Sequence, residues 1–143
     1  MSAAPARAYA LRGLAKVGLL HPLYRLRQRW AARRESKEAP REVDGLPIPP
    51  PLLRMTTCDN PDPDAFVEGG RNVARILSAR AAEHGREPGS LSAMLDFGCG
   101  CGRVARHWAG LRGPEVHGCD YNGELVGWCR EHLPFLHCVR NEL

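Results

Sequence analysis

Three glycines alternate with two cysteines directly after a short apolar segment, in the order Gly98, Cys99, Gly100, Cys101 and Gly102. A short apolar segment that ends in glycines is typical of a buried parallel strand followed by a sharp turn. Glycine has no Cβ atom, so the backbone can turn tightly there and a ligand can approach it closely. The stretch therefore predicts a loop at the carboxyl end of a strand, which is where ligands bind in open α/β sheets.

The residues around this loop alternate between strand and helix patterns. Apolar runs bounded by glycine, proline and polar residues predict strands, and apolar positions at helical spacing predict helices. The predicted order is strand 93–97, helix 103–111, strand 116–119, helix 123–132 with Asn122 as its cap, and strand 135–139. This order indicates an α/β protein with the first three parallel strands of a Rossmann-like sheet.

The chain divides into three regions by composition. Residues 1–38 form a basic amphipathic arm, residues 39–63 a proline-rich linker, and residues 64–143 the α/β domain. Seven prolines lie in the linker, so we expect it to be extended and to contain no regular helix. Asp62 or Asp64 is expected to cap a helix over 65–84, whose apolar face consists of Phe66, Val73, Ile76, Leu77 and Ala81.

The basic arm leaves several functions open. Residues 1–41 hold ten Lys or Arg against two acids, whereas the rest of the chain has a net charge of −4. Leu19, Leu23, Leu26 and Trp30 lie at helical spacing among arginines, a pattern that can bind an anionic membrane surface or a protein partner. A solvated extension, a helix packed on its own domain and an organellar transit peptide have the same composition. No nucleic-acid partner is expected, because no nucleic-acid-binding motif accompanies the charge.

The six cysteines are interpreted as reduced thiols of a cytoplasmic protein, since no signal peptide pattern and no membrane-length apolar run is present. Cys99 and Cys101 lack the second pair that zinc spacing requires, and Cys119, Cys129 and Cys138 are interpreted as small buried hydrophobes. We therefore predict no metal site. The histidines form no convincing acid–base pair, so no catalytic residue is assigned.

An acidic residue follows the glycines at a distance that indicates the kind of ligand. Asp120 comes eighteen residues after Gly102, at the end of the second predicted strand. A carboxylate at about that distance commonly binds ribose hydroxyls. A dinucleotide-binding loop would need a glycine at position 103, where this chain has Arg103. The spacing favours a nucleoside ligand without phosphates, although a purely structural turn is also compatible with it.

These motifs resemble those of a known enzyme family. The stretch 95–102 resembles motif I of class I S-adenosylmethionine-dependent methyltransferases, and 118–122 resembles their ribose-binding motif. The segments 48–51 and 66–71 resemble the lead-in of a bacterial subgroup of that family. The resemblance implies an S-adenosylmethionine site formed by Asp96, Gly98, Cys99, Gly100, Gly102, Asp120, Tyr121, Asn141 and Glu142.

The resemblance also implies methyl transfer to an acceptor that the sequence does not identify. Only the cofactor-binding half of the family's domain is recognisable, so we expect a methyltransferase by family in a truncated chain, and whether this chain is active by itself stays open. Two alternatives stay open: a non-catalytic S-adenosylmethionine-binding module that pairs with another chain, and a fragment of an NAD-binding oxidoreductase.

Overall fold

The structure, a computed structural model, describes residues 22, 23, 26, 30 and 41–142. The predicted basic arm therefore lies almost entirely outside the described residues. Within it, residues 22, 23, 26 and 30 are helical, and the side chains of Leu23, Leu26 and Trp30 are exposed. The functions considered for the arm stay predictions.

Short strands and helices alternate along the described chain. In order they are β1 (Glu42–Val43), β2 (Leu46–Pro47), α1 (Pro51–Cys58), α2 (Pro63–Glu83), a first 3₁₀ turn (Pro88–Ser90), β3 (Ala93–Phe97), a second 3₁₀ turn (Ala105–Trp108), β4 (Glu115–Asp120), α3 (Gly123–His132) and β5 (Leu136–Arg140).

The strands β3, β4 and β5 form a parallel sheet in that order. Leu95 on β3 aligns with His117 on β4, which aligns in turn with His137 on β5. Parallel neighbours need crossover connections, which here contain the second 3₁₀ turn and α3. The prediction of an α/β protein with three parallel strands is confirmed, and the arrangement is compatible with one half of a Rossmann-like sheet.

The two faces of the sheet differ sharply in burial. Side chains alternate along each strand, so Val116, Leu136 and Cys138 point to one face and join the buried core with residues of α2 and α3. On the opposite face Leu95 is 63% exposed, Phe97 77% and Val139 55%. The expectation that 93–97 is a fully buried strand is therefore wrong for this face, which we call the open face.

The proline-rich segment is not the extended linker that its composition predicts. Residues 51–58 form helix α1, and β1 and β2 pair as an antiparallel hairpin. Proline disrupts the interior of a helix but favours its first turn, and Pro51 and Pro63 begin α1 and α2. The guanidinium group of Arg54, itself buried, donates hydrogen bonds to the carbonyl groups of Pro49 and Pro61.

Helix α2 confirms the predicted helix over 65–84, with one correction to its buried face. Its cap is Asp62, whose carboxylate accepts a hydrogen bond of 2.7 Å from the Ala65 amide. The buried residues are Pro63, Phe66, Val67, Gly70 and Ala74. Ile76 and Leu77, which the apolar pattern placed on the buried face, are 45% and 49% exposed.

The prediction of a helix over 103–111 is also wrong. The segment forms turns and the short second 3₁₀ turn. A Cβ atom on Gly70 of α2 would lie 2.0 Å from the carbonyl oxygen of Arg103, so the two backbones touch there. Close packing against α2 thus sets the path of this segment, and local helix preference does not.

The remaining elements match their predictions closely. Helix α3 begins and ends where the pattern places it, and the side chain of Asn122 accepts a hydrogen bond from the Glu124 amide as the cap. Strands β4 and β5 agree with prediction to within one residue at each end. Across residues 22, 23, 26, 30 and 41–142, no helix has the length and apolar character needed to span a bilayer.

Candidate ligand site at the carboxyl edge of the sheet

The predicted site residues meet at one edge of the sheet because the three strands are parallel. The loop 98–102 follows β3, Asp120 ends β4, and Asn141 follows β5. Backbone hydrogen bonds lock this edge: the amides of Gly98 and Cys99 donate to the Cys119 carbonyl over 2.8 and 3.0 Å. The Asn141 amide donates to the Asp120 carbonyl over 3.2 Å.

The three loop glycines have different roles, although all adopt positive φ angles of 75°, 57° and 72° at Gly98, Gly100 and Gly102. A Cβ atom on Gly98 would meet nothing within 4 Å, so this glycine borders open space. A Cβ atom on Gly100 would lie 2.6 Å from Thr57, and one on Gly102 2.4 Å from Leu133. Gly98 can therefore face a ligand, whereas Gly100 and Gly102 allow close packing within the protein.

Asp120 fastens the loop to the turn that follows β4. Its carboxylate is 7% exposed and accepts hydrogen bonds of 2.9 Å from two backbone amides, those of Gly100 and Asn122. Each carboxylate oxygen can accept a second hydrogen bond. Asp120 is thus a structural element of the loop that keeps acceptor capacity for a ligand hydroxyl.

Two polar oxygens at this edge are buried without a partner in the described part of the chain: Oδ2 of Asp96 and Oδ1 of Asn141. An unsatisfied buried acceptor costs roughly 1–3 kcal/mol, so a ligand that donates hydrogen bonds there would be stabilised. Burial raises the pKa of Asp96 above its ordinary value, against the opposing effects of the Ala105 amide and Arg103.

The other predicted site residues lie at the rim or turn away from it. Tyr121 is 67% exposed, and its carbonyl accepts a hydrogen bond from Arg140. Glu142 is exposed as well. Cys99 is buried, with its thiol directed at Cys138 over 3.7 Å and its amide bonded to Cys119. Cys99 therefore supports the loop from below.

No α-helix begins at the glycine loop. A phosphate-binding loop presents the amides and the positive dipole end of a helix to the phosphate. Here the residues after the loop form turns and then the four-residue second 3₁₀ turn. The geometry favours a ligand held by carboxylate and amide oxygens over one held by its phosphates.

Sequence reasoning missed the meeting of three thiols beneath this loop. The sulfur atoms of Cys99, Cys129 and Cys138, which we call the thiol trio, all lie within 4.8 Å of one another. The neighbouring thiols of Cys129 and Cys99 lower the pKa of Cys138, and the neighbouring Cys138 raises the pKa of Cys129. The three residues come from a loop, a helix and a strand, so their spacing along the chain gives no signal.

Cys101 belongs to the same loop but not to the trio. Its sulfur lies 3.0 Å from the hydroxyl oxygen of Thr57 on α1. Burial raises its pKa to about 12, with the Thr57 hydrogen bond acting against the shift. The thiol of Cys101 therefore contacts Thr57, whereas that of Cys99 lies against Cys138.

A shallow cavity of about 420 Å³ lies on the sheet, lined by Ala93, Met94, Leu95, His117, Gly118, His137 and Val139. His117 and His137 are neighbours, as their predicted strands allow, with ring centroids 5.2 Å apart. The lining of the cavity does not include the glycine loop, so the cavity and the candidate site are separate features.

Comparison with known proteins gives no further identification. No protein-family model matches the chain, and no curated protein matches it. The resemblance to methyltransferases stays a prediction that the geometry of the site must support.

Proposed function

We propose that this chain contains the S-adenosylmethionine-binding half of a class I methyltransferase. The observation that carries the proposal is a set of buried acceptor oxygens, from Asp96, Asp120 and Asn141, at the carboxyl edge of a parallel sheet where Gly98 borders open space. S-adenosylmethionine offers matching donors, namely a charged amino group, two ribose hydroxyls and an adenine amino group.

Each acceptor has a role in this proposal. Asp96 accepts from the amino group of the methionine portion, Asp120 binds the ribose hydroxyls with its free lone pairs, and Asn141 accepts from the adenine. The exposed Tyr121 and Glu142 border the adenine at the rim. Gly98 is the loop glycine that approaches the ligand, while Gly100 and Gly102 hold the loop in shape from behind.

The cofactor supplies a methyl group bonded to a positively charged sulfur. When a nucleophile attacks that methyl group in line, the sulfur leaves readily. Catalysis of such a displacement depends largely on positioning, so the contribution of these residues is to fix the cofactor's orientation. The methyl acceptor and the residues that bind it are not assigned. The absence of an α-helix at the loop disfavours the alternative of an NAD-binding fragment.

Isothermal titration calorimetry of the full chain with S-adenosylmethionine, and separately with NAD, tests this proposal. We expect saturable binding of S-adenosylmethionine and none of NAD. Asp96→Asn and Asp120→Asn, which keep the side-chain shape, should each weaken binding at least about tenfold, since each removes a charge-assisted hydrogen bond worth about 1.4 kcal/mol or more.

Glu124→Gln is the matched control, because Glu124 is an exposed acid in the first turn of α3, near the site but not part of it. Its affinity should equal that of the unaltered chain. Binding of NAD without S-adenosylmethionine would overturn the proposal. So would S-adenosylmethionine affinity that both aspartate variants leave unchanged.

A further inference from the structure

Three thiols from three separate elements converge directly beneath the glycine loop. Cys99 lies in the loop, Cys129 on α3 and Cys138 on β5, and all three are buried and free. The sulfur atoms of Cys99 and Cys138 are 3.7 Å apart, and no sulfur of the three is more than 4.8 Å from another.

These separations match those of sulfur ligands around one ion. Zinc–sulfur bonds of about 2.3 Å at tetrahedral angles place sulfur ligands roughly 3.8 Å apart. The trio therefore needs side-chain shifts of less than about 1 Å to surround an ion of that size. Its three attachment points are fixed by the sheet, the loop hydrogen bonds and α3, so the arrangement exists before an ion arrives.

A fourth donor atom faces the same space. The carbonyl oxygen of Gly100 lies 3.4 Å from the sulfur of Cys129 and 3.6 Å from that of Cys99, and accepts weak hydrogen bonds from both thiols. An ion bound to the sulfurs would replace those thiol protons next to this oxygen. Four-coordinate zinc sites commonly have four thiolates, or three thiolates and one other donor.

We propose that Cys99, Cys129 and Cys138 bind one thiophilic divalent cation such as Zn²⁺, with the Gly100 carbonyl oxygen as the fourth ligand. Thiolates select such soft or borderline ions over Mg²⁺ and Ca²⁺. Each thiol that still holds a proton releases it to solvent when the ion binds, and no electrons are transferred. This proposal differs from the expectation of no metal, which stays untested, and it does not depend on the proposed cofactor.

The bound ion would have a structural consequence for the candidate ligand site. It would join the loop 98–102 to α3 and β5, so the loop would open less often. The proposal therefore includes a thermal effect: the chain with Zn²⁺ should unfold at a higher temperature than the chain treated with a chelator.

Metal titration of the chelator-treated, reduced full chain tests this site. Cd²⁺ reports the ligands directly, because each cadmium–thiolate bond adds to an ultraviolet charge-transfer band. We expect the intensity of this band to rise until one Cd²⁺ is bound per chain and then to stay constant, at a value that corresponds to three thiolates. Zn²⁺ should abolish the Cd²⁺ band by competition, and Cys138→Ser should weaken Zn²⁺ binding at least about a hundredfold, more than loss of an outer contact does.

Cys101→Ser and Cys119→Ser are the matched controls. Both residues are buried cysteines near the trio, but Cys101 contacts Thr57 and Cys119 is not part of the cluster. Their Zn²⁺ affinities should match that of the unaltered chain. If Cys138→Ser fails to fold, as circular dichroism would show, the Cd²⁺ band of the unaltered chain still shows whether three thiolates bind the ion.

A band from fewer than three thiolates, or no binding at one ion per chain, overturns the site. An equal loss of affinity in Cys101→Ser overturns it as well, because the ion would then be bound by loop thiols in general. Loss of Zn²⁺ affinity in the single serine variants of Cys99, Cys129 and Cys138, but not in those of Cys101 and Cys119, supports it.

Discussion

At the scale of single residues, the loop glycines have two different roles: Gly98 borders the space for a ligand, and Gly102 allows close packing. Gly102→Ala places a methyl group 2.4 Å from the buried Leu133 and keeps a φ of 72°, which costs a non-glycine residue free energy. We expect a loss of about 2–4 kcal/mol in the free energy of unfolding, from left-handed strain and overpacking together. Gly98→Ala meets open space and should cost only about 1–2 kcal/mol, from its φ of 75°.

Urea denaturation of both variants measures this difference, with Gly127→Ala as the control. Gly127 lies on the exposed side of α3, where an added Cβ would meet nothing within 4 Å. Alanine is the better helix former, so this variant should gain about 0.5–1 kcal/mol. Equal losses at Gly98 and Gly102 would contradict the assignment of Gly102 to packing.

The Asp96 carboxylate is expected to favour ligand binding but to lower the free energy of unfolding. Because burial raises its pKa, the folded chain holds this proton to a higher pH than the unfolded chain does. Its contribution to stability is therefore present below the unfolded pKa of 3.8 and is lost as the pH rises through the folded pKa. Above the folded pKa the carboxylate, whose Oδ2 has no partner, is less favourable in the folded chain than in the unfolded chain.

Asp96→Asn should accordingly raise the free energy of unfolding at pH 7 by on the order of 1 kcal/mol. The gain should shrink as the pH falls towards the ordinary pKa of the carboxyl group. Thermal unfolding followed from neutral to mildly acidic pH measures both trends. A variant that is less stable than the unaltered chain at pH 7 would refute this reading of Asp96, and one that is more stable shows that its loss of ligand affinity is not unfolding.

At the scale of elements, local signals predicted some structures and tertiary contacts decided others. The Asn122 cap, the glycines after β3 and the apolar strand patterns act within a few residues, so the sequence predicts α3 and the three strands well. The segment 103–111 has helical spacing, but its contact with Gly70 of α2 is not encoded locally. The meeting of the thiol trio likewise depends on the parallel order of strands, which brings distant positions together.

The hairpin of β1 and β2 depends on one buried cation. Arg106, which is 4% exposed, donates hydrogen bonds from its guanidinium to the carbonyl oxygens of Val43, Leu46 and Pro47 over 3.0–3.3 Å. Arg106→Met keeps most of the side-chain volume but leaves these carbonyls without their donor. We expect a loss of about 2–4 kcal/mol, since hydrogen bonds to charged groups and buried partners are both affected.

Hydrogen exchange measured by mass spectrometry locates the effect of Arg106→Met. Peptides covering 42–47 and the adjoining segment should lose protection before the sheet does. Arg80→Met is the control, because Arg80 is an exposed residue of α2 that pairs with Glu83 at the surface. Loss of protection that is uniform over the sheet and the hairpin would show that Arg106 does not act on the hairpin specifically.

At the scale of the whole molecule, the open face of the sheet exposes large apolar side chains in the described part of the chain. Parallel sheets are normally covered on both faces, and contiguous apolar patches mark surfaces that another polypeptide segment covers. Here α2, α3 and the second 3₁₀ turn cover one face, while Leu95, Phe97 and Val139 remain more than half exposed on the other. This contrast predicts that threonine substitutions cost little stability on the open face and much more on the covered face.

The triple variant Leu95→Thr, Phe97→Thr and Val139→Thr should fold with a free energy of unfolding within about 1 kcal/mol of the unaltered chain, because threonine suits strands and little buried area is lost. Its binding of the dye anilinonaphthalene sulfonate and its concentration-dependent light scattering should both fall. Val116→Thr, at a position 4% exposed on the covered face, should instead lose about 1–3 kcal/mol. Unchanged dye binding in the triple variant would mean that the open face is already covered in solution, and the argument for an unsatisfied sheet would fail.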